Sequence, residues 1–210
     1  MESILQGVAF FHKGGFVMYI LLVCSIFVIT IAVERLLYFK QADSGRKFAR
    51  QIIYLLEKDK LDEAAALAEI AEGALAEIVN KAMKKIDRKS FRLSSYLEIQ
   101  SGIALSNFRR RLYYLNVIVT MAPLLGLLGT ISGMISAFSI FNLESGQAAA
   151  ITGGVGEALI ATAMGLCVAI VALAIHAYFM QRIEAIITDM EQCFSMLENK
   201  KEQVTGHEIA

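Results

Sequence analysis

The chain has 210 residues, 56% of them hydrophobic and none of them Trp, and its twenty basic and twenty acidic side chains cancel to a formal charge of zero. A soluble domain of this size would not gather its apolar residues into long uncharged blocks, so the composition excludes that class and indicates a polytopic membrane protein. The charge balance excludes a general nucleic-acid surface. Cys24, Cys167 and Cys193, odd in number and widely spaced, mark neither a disulfide framework nor a metal site and read as packing residues.

In chain order, residues 1–15 form a weakly amphipathic segment ending in Gly14 and Gly15. From Phe16 to Val33 runs an uncharged block of eighteen, closed by Glu34 and Arg35, and long enough to span a bilayer. The block is too long for a signal-peptide core and no small-x-small site follows it, so 16–39 is expected to stay as a first transmembrane helix. Only Lys13 precedes this span, while sixteen of the twenty Lys and Arg lie between Arg35 and Arg111 and three follow the last span. The positive-inside rule then places the N-terminus outside and both basic regions, with the C-terminus, in the cytoplasm.

Residues 40–111 read as a cytoplasmic insert rich in strong helix formers. Phe48, Ile52, Leu55 and Leu56 repeat at helical spacing, and Asp59 to Asp62 turns into a second helix. Glu72 and Gly73 mark a break before a third helix that carries Leu75, Ile78, Val79, Met83 and Ile86 on one face. After DRKS at 87–90, one unbroken helical rod is expected from about Phe91 through Phe141, with Arg109, Arg110 and Arg111 reaching to lipid headgroups where it enters the membrane.

The second span, Leu112 to Phe141, is thirty residues without a charge. As a helix it reaches roughly 45 Å against the ~30 Å core of a bilayer. An anchor needs only large apolar side chains, yet this stretch holds the only proline, Pro123, with Gly126, Gly129, Thr130 and Gly133. Gly126, Thr130, Gly133 and Ala137 share a narrow helical sector. Small residues permit close helix packing, and a threonine adds a hydrogen bond where lipid offers none. Pro123 is expected to kink the helix and free a carbonyl near Val119 or Thr120. Two readings follow: a tight packing face, or a packing face that also lines a polar path.

Residues 142–156 read as a Gly- and Ala-rich external connection. The third span is expected over 157–181, where Ala158, Thr162, Gly165, Ala169, Ala172 and His176 share a face. Over 182–210, Ile183, Ile186, Ile187, Met190, Phe194 and Leu197 continue a helical stripe into the cytoplasm, with the end from Lys201 frayed. The fold class is thus all-α, with three transmembrane helices of which the second and third extend into the cytoplasm as long helices.

An intramembrane ionisable residue is a functional candidate by default. Glu157, at the outer start of the third span, also suits the positive end of a helix dipole, and His176 lies close enough to the inner surface for a structural role. Neither is midway across. Threonine hydroxyls donate and accept at once, so they line a proton path without acting as its carrier. No nucleophile with a plausible His and acid partner occurs, nor a phosphate loop, so no catalytic residue, cofactor or metal is expected.

APLLGLLGTISGMISAF at 122–138 and GEALIATAMGL at 156–166 resemble the ExbB/TolQ branch of the MotA/TolQ/ExbB proton channel family, whose order of motifs and three-span plan match along nearly the whole chain. The flagellar branch, with four spans, is the poorer match. Ser132 stands where the family often has Trp and Val171 where it often has Pro, so ExbB and TolQ stay open as branches. The resemblance implies a homo-oligomeric ring of five subunits in the inner membrane around the single spans of ExbD- or TolR-like partners, with a TonB- or TolA-like energy-transducing protein. In that picture the partner brings the proton-carrying aspartate, Thr130, Thr162 and Glu157 line the path, and Gly126, Gly129, Gly133, Ala137, Ala158, Gly165 and Ala169 pack the helices around it. The resulting expectation is a proton-driven stator; the rival from another class is a non-conducting membrane scaffold that only holds a partner helix. A scaffold needs the small residues but not the two hydroxyls.

Overall fold

A computed structural model describes residues 15–86, 92–141 and 148–207, with the side chains of 139–141, 148–152, 157 and 204–207 left aside. Among these residues every regular element is a helix: α1 (Gly15–Ala42), α2 (Gly45–Glu57), α3 (Leu61–Ile70), α4 (Ala74–Met83), α5 (Leu93–Arg109), α6 (Leu112–Phe141) and α7 (Ala148–His207). Three helical stretches are long and apolar enough to cross a membrane. The molecule is an all-helical, multi-pass membrane protein.

It divides into two units, one made of Met1–Val33 with Arg111–Tyr178, the other of Glu34–Arg110 with Phe179–Ala210. The first unit inverts the pattern of a soluble core. Where α6 meets α7 its interior is made of small residues, Ala122 and Ala137 of α6 with Ala158, Ala161, Ala169 and Ala172 of α7, while Met18, Leu21 and Val28 of α1 and Leu115 of α6 are buried as well. Large apolar side chains such as Leu124, Ile135, Leu159 and Ile170 stand exposed. This is the arrangement expected when lipid, as apolar as leucine, gives no drive to bury leucine, and close backbone packing holds the helices instead.

The second unit has a conventional core. α2 buries Phe48, Ala49, Ile52 and Leu56, and α4 buries Leu75, Ile78, Val79 and Met83. From α7 come Ile183, Ile186, Met190, Cys193 and Leu197, with Ile187 and Phe194 half-buried beside them. Phe39 stands between Phe108 and Phe179, each ring centroid 5.1 Å away. Arg35, read in the sequence as the charged close of the first span, is 3% exposed. Its Nε and Nη2 donate to the Glu34 carboxylate at 2.6 Å each, its Nη1 to the Asn107 carbonyl at 3.0 Å, and its guanidinium lies 4.6 Å from the centre of the Tyr38 ring. Satisfying a buried guanidinium in this way avoids the several kcal/mol that an unpaired ion would cost.

Polar joints tie the same unit together. Ser44 Oγ accepts from the Ala76 amide at 3.0 Å, so α4 is capped from 32 residues away. Arg182 pairs with Asp43 at 2.8 Å and Arg46 with Asp189 at 3.7 Å. Burial raises the Asp189 carboxyl above its ordinary value, against the pull of Arg46 and with help from the Asp43 charge. Burial likewise pushes the Cys193 thiol up to about 12, and its Sγ lies 3.6 Å from the Ala49 carbonyl.

Three local features depart from the sequence reading. The rod expected from Phe91 to Phe141 is two helices, because Arg110 turns extended (ψ 136°) and Arg111 takes a left-handed φ of +70°. No glycine or proline announces that break. The stretch expected as an external connection over 142–156 is helical from Ala148 onward, while 142–147 lies outside the described residues. The end expected to fray from Lys201 continues as helix to His207. The DRKS segment at 87–90 falls outside the described residues.

Candidate functional site

The seam between α6 and α7 in the first unit is where the residues singled out in the two spans meet. Its spacing is set by glycines whose missing side chains are filled by the opposite helix. A Cβ on Gly165 would lie 2.5 Å from the Ala122 carbonyl oxygen and 3.0 Å from Gly126 Cα. One on Gly126 would meet the Ala161 carbonyl and Thr162 Cα at 3.0 Å each, one on Gly133 would meet Ala158 Cβ at 3.1 Å, and one on Gly154 would meet Ala137 Cβ at 2.5 Å. The two helices therefore run antiparallel in backbone contact over several turns.

Within this seam the Thr162 hydroxyl donates across the helices to the Gly126 carbonyl at 3.1 Å. Only the absence of a side chain at Gly126 lets the hydroxyl reach that oxygen. Thr130, half-buried one turn further along, turns its hydroxyl back to Leu127 O at 2.6 Å, and Thr120 does the same to Val117 O at 2.9 Å. Pro123 sits half-buried inside α6, which runs through it unbroken. Its missing N–H leaves the Val119 carbonyl without its helical donor.

The structure thus brings Gly126, Gly129, Gly133 and Ala137 together with Ala158, Thr162 and Gly165, while Ala169 is buried further along α7. Glu157 lies on α7, its side chain outside the described residues, and His176 is half-buried. Sequence reasoning missed Gly154 and Ala161, whose Cβ lies 2.5 Å from the place a Cβ on Gly129 would take. Ala161 was legible, since it stands three residues after Ala158 and four before Gly165, the same helical face. Among the described residues there is no grouping of His, Cys, Asp and Glu able to hold a metal.

The model of the MotA/TolQ/ExbB proton channel family matches residues 68–192, which takes in α4 to α6 and most of α7, the seam included. The chain belongs to the MotA/TolQ/ExbB proton channel family. Among individual relatives of this family, an ExbB-like biopolymer transport protein of Synechocystis is 35% identical over 179 residues, covering 78% of this chain and 66% of the relative. An ExbB homolog of Methanothermobacter thermautotrophicus is 29% identical over 185 residues, 86% of this chain and 65% of the relative. The biopolymer transport protein ExbB of Salmonella typhimurium is 30% identical over 155 residues, 66% of this chain and 62% of the relative. The chain thus spans just under two thirds of the length of these relatives. MotA/TolQ/ExbB proteins are transport proteins and not enzymes, and this member is ExbB-like.

Proposed function

We propose that this ExbB-like chain is the proton-channel, or stator, subunit of a motor in the bacterial inner membrane, which turns proton flow into mechanical work on a partner reaching the outer membrane. Membership of the proton channel family supports the class. The observation that carries the conducting reading is the Thr162 hydroxyl set on a glycine-lined seam, donating to Gly126 O. A hydroxyl that donates one bond keeps two acceptor lone pairs. Thr162 is therefore able to accept from a protonated carboxyl brought alongside, and Thr130, with its own donor committed to Leu127 O, has the same capacity.

The carrier itself has to come from elsewhere, because Leu112–Phe141 holds no Asp, Glu, His, Lys or Arg, and Glu157 and His176 stand toward the two ends of the third span. An ExbD- or TolR-like single-span partner with an aspartate supplies that group, and a TonB- or TolA-like protein takes up the motion. On this reading the subunit assembles as a ring of five copies, N-terminus periplasmic and C-terminus cytoplasmic, and Glu157 stands at the outer mouth. The scaffold reading draws on the same two bonds, since each threonine donor is already satisfied within the chain. Proton flux into liposomes separates them. We expect little flux from the purified chain alone and at least tenfold more with the partner. A chain and partner that assemble yet conduct no more than empty liposomes would leave only the scaffold.

A further inference from the structure

We infer that the second unit carries a head-to-tail docking surface for another copy of this chain, in which the arginine-edged outer face of α5 seats against a glutamate-edged groove of the next copy. The inference rests on the assembly reading above and gives it a specific contact.

Two hollows border α5. One, about 590 Å³, lies between the end of α1, the α3–α4 turn, α4 and α5; Tyr38, Ile78 and Ile103 give it apolar surface, and Glu72 and Glu77 stand at its acidic side. The other, about 740 Å³, is an open hollow along the outer side of α5, lined by Gly102, Leu105 and Ser106 and ending in Arg109 and Arg110. Glu77 is already paired with Lys81. Glu72, Arg109 and Arg110 are exposed, and among the described residues none of them has an ion-pair partner.

Gly102 points the same way. It is in the interior of α5, where glycine weakens a helix, and nothing lies within 4 Å of the Cβ it lacks. Each glycine of the α6–α7 seam is accounted for by a neighbouring backbone or side chain, and Gly73 by Ser44. Gly102, like Gly153 and Gly156 of α7, has no such neighbour within the chain; it differs from those two in lining the arginine-edged hollow, with Ile99 and Ile103 beside it 60% and 53% exposed. A bare backbone flanked by two isoleucines is the surface a second helix needs to approach closely.

The partner that fits is a second copy because one chain bears both halves: unpaired arginines on one face, an unpaired glutamate on another. Such a contact uses different patches on its two sides, so it repeats from copy to copy and closes into a ring where the rotation permits. An anionic lipid would answer the arginines but leave Glu72, in the other hollow, without a partner.

The test uses the full chain in mild detergent, with Cys24, Cys167 and Cys193 replaced by Ala. One tagged copy carries Glu72→Cys and a second carries Arg109→Cys or Arg110→Cys, and a short thiol crosslinker is added to the mixture. We expect intermolecular crosslinking of the mixture at least tenfold above either variant alone. The charges are tested with a second reporter pair, Ala74→Cys in one copy and Ser106→Cys, in the arginine-edged hollow, in the other. Glu72→Arg in the first copy, or Arg109→Glu with Arg110→Glu in the second, should each lower that crosslink about tenfold, and the combined swap should restore it. In the first pair, Gly102→Leu on the arginine-bearing copy should abolish crosslinking without lowering the thermal midpoint, which helix propensity should raise if anything. Native mass spectrometry runs alongside. A complex of several copies without the crosslink overturns the docking surface and leaves the ring, whereas a chain that stays monomeric with its partner overturns both. Arginine variants that change binding to anionic vesicles with no effect on crosslinking would also overturn the inference, in favour of lipid.

Discussion

The Thr162 hydroxyl reaches across two helices to the carbonyl of Gly126 at 3.1 Å, at the level where a Cβ on Gly126 would lie 3.0 Å from Thr162 Cα. One residue supplies the donor and the other supplies the room for it, so packing and polarity are joined at a single point of the seam. Valine keeps nearly the shape of threonine without the hydroxyl, and serine keeps the hydroxyl without the methyl. Interhelical hydrogen bonds in membranes average about 0.6 kcal/mol, so Thr162→Val should leave assembly intact. Proton-driven activity, measured at equal levels of assembled complex, should fall in the order wild type, Thr162→Ser, Thr162→Val. A valine variant as active as wild type would make Thr162 a packing residue and leave the conducting path to Thr130.

The glycines of α7 should separate sharply in their tolerance of a methyl group. Gly165→Ala puts a Cβ 2.5 Å from the Ala122 carbonyl oxygen, a backbone atom that cannot swing aside. Forcing α6 and α7 apart should cost about 1–3 kcal/mol, the range for overpacking. Gly156 is exposed on the same helix with nothing within 4 Å, so Gly156→Ala should gain up to ~1 kcal/mol from helix propensity. Thermal unfolding of the purified chain in detergent checks both, and equal effects at the two positions would contradict the packing described.

Much of this arrangement is legible in the sequence because membrane spans advertise themselves. The uncharged blocks and the 3, 4, 7 spacing of small residues are enough to locate α6, α7 and most of their seam. What escapes has physical reasons. Gly153, Gly154 and Gly156 are poor helix formers, so the stretch before Glu157 reads as a connection, yet it is helical, and Gly154 is there because Ala137 fills the place of its side chain. The break at Arg110 and Arg111 is made by residues with no turn preference. Arg35 looks like a membrane-edge charge because its partners differ in visibility: Glu34 is adjacent, but the Asn107 carbonyl is 72 residues away.

Asp189 gives a pH dependence with a definite sign. Burial holds its carboxyl above the ordinary 3.8, with Arg46 opposing and Asp43 reinforcing, so in the window between 3.8 and the raised value the folded chain binds the proton more readily than the unfolded one. Unfolding free energy then falls as pH rises through that window, and it recovers as pH is lowered. Asp189→Asn removes the titration while resembling the protonated form. The difference in thermal midpoint, wild type minus Asp189→Asn, should therefore grow more positive between about pH 7 and pH 4. A difference that shrinks on acidification would mean that Arg46 and Arg182 outweigh the burial.

The joint between the α1–α2 turn and α4 offers a prediction in which backbone and side chain can be told apart. Gly73 has φ +105° and ψ 169°, a region open essentially only to glycine. A Cβ there would in addition lie 2.5 Å from Ser44 Oγ and 2.6 Å from the Ser44 backbone nitrogen. Ser44→Ala should cost about 1 kcal/mol, since the Ala76 amide loses its cap but no atom is displaced. Gly45→Ala, at φ +81° with open space around it, should cost a similar amount from conformation alone. Gly73→Ala carries the conformational penalty and the clash together, so it should be the most damaging of the three. Combining it with Ser44→Ala should not restore stability, because the obstructing nitrogen and Cα of residue 44 remain. Chemical denaturation of the four variants in detergent measures the ranking, and a double variant as stable as Ser44→Ala would show that the Ser44 hydroxyl alone dictates the glycine.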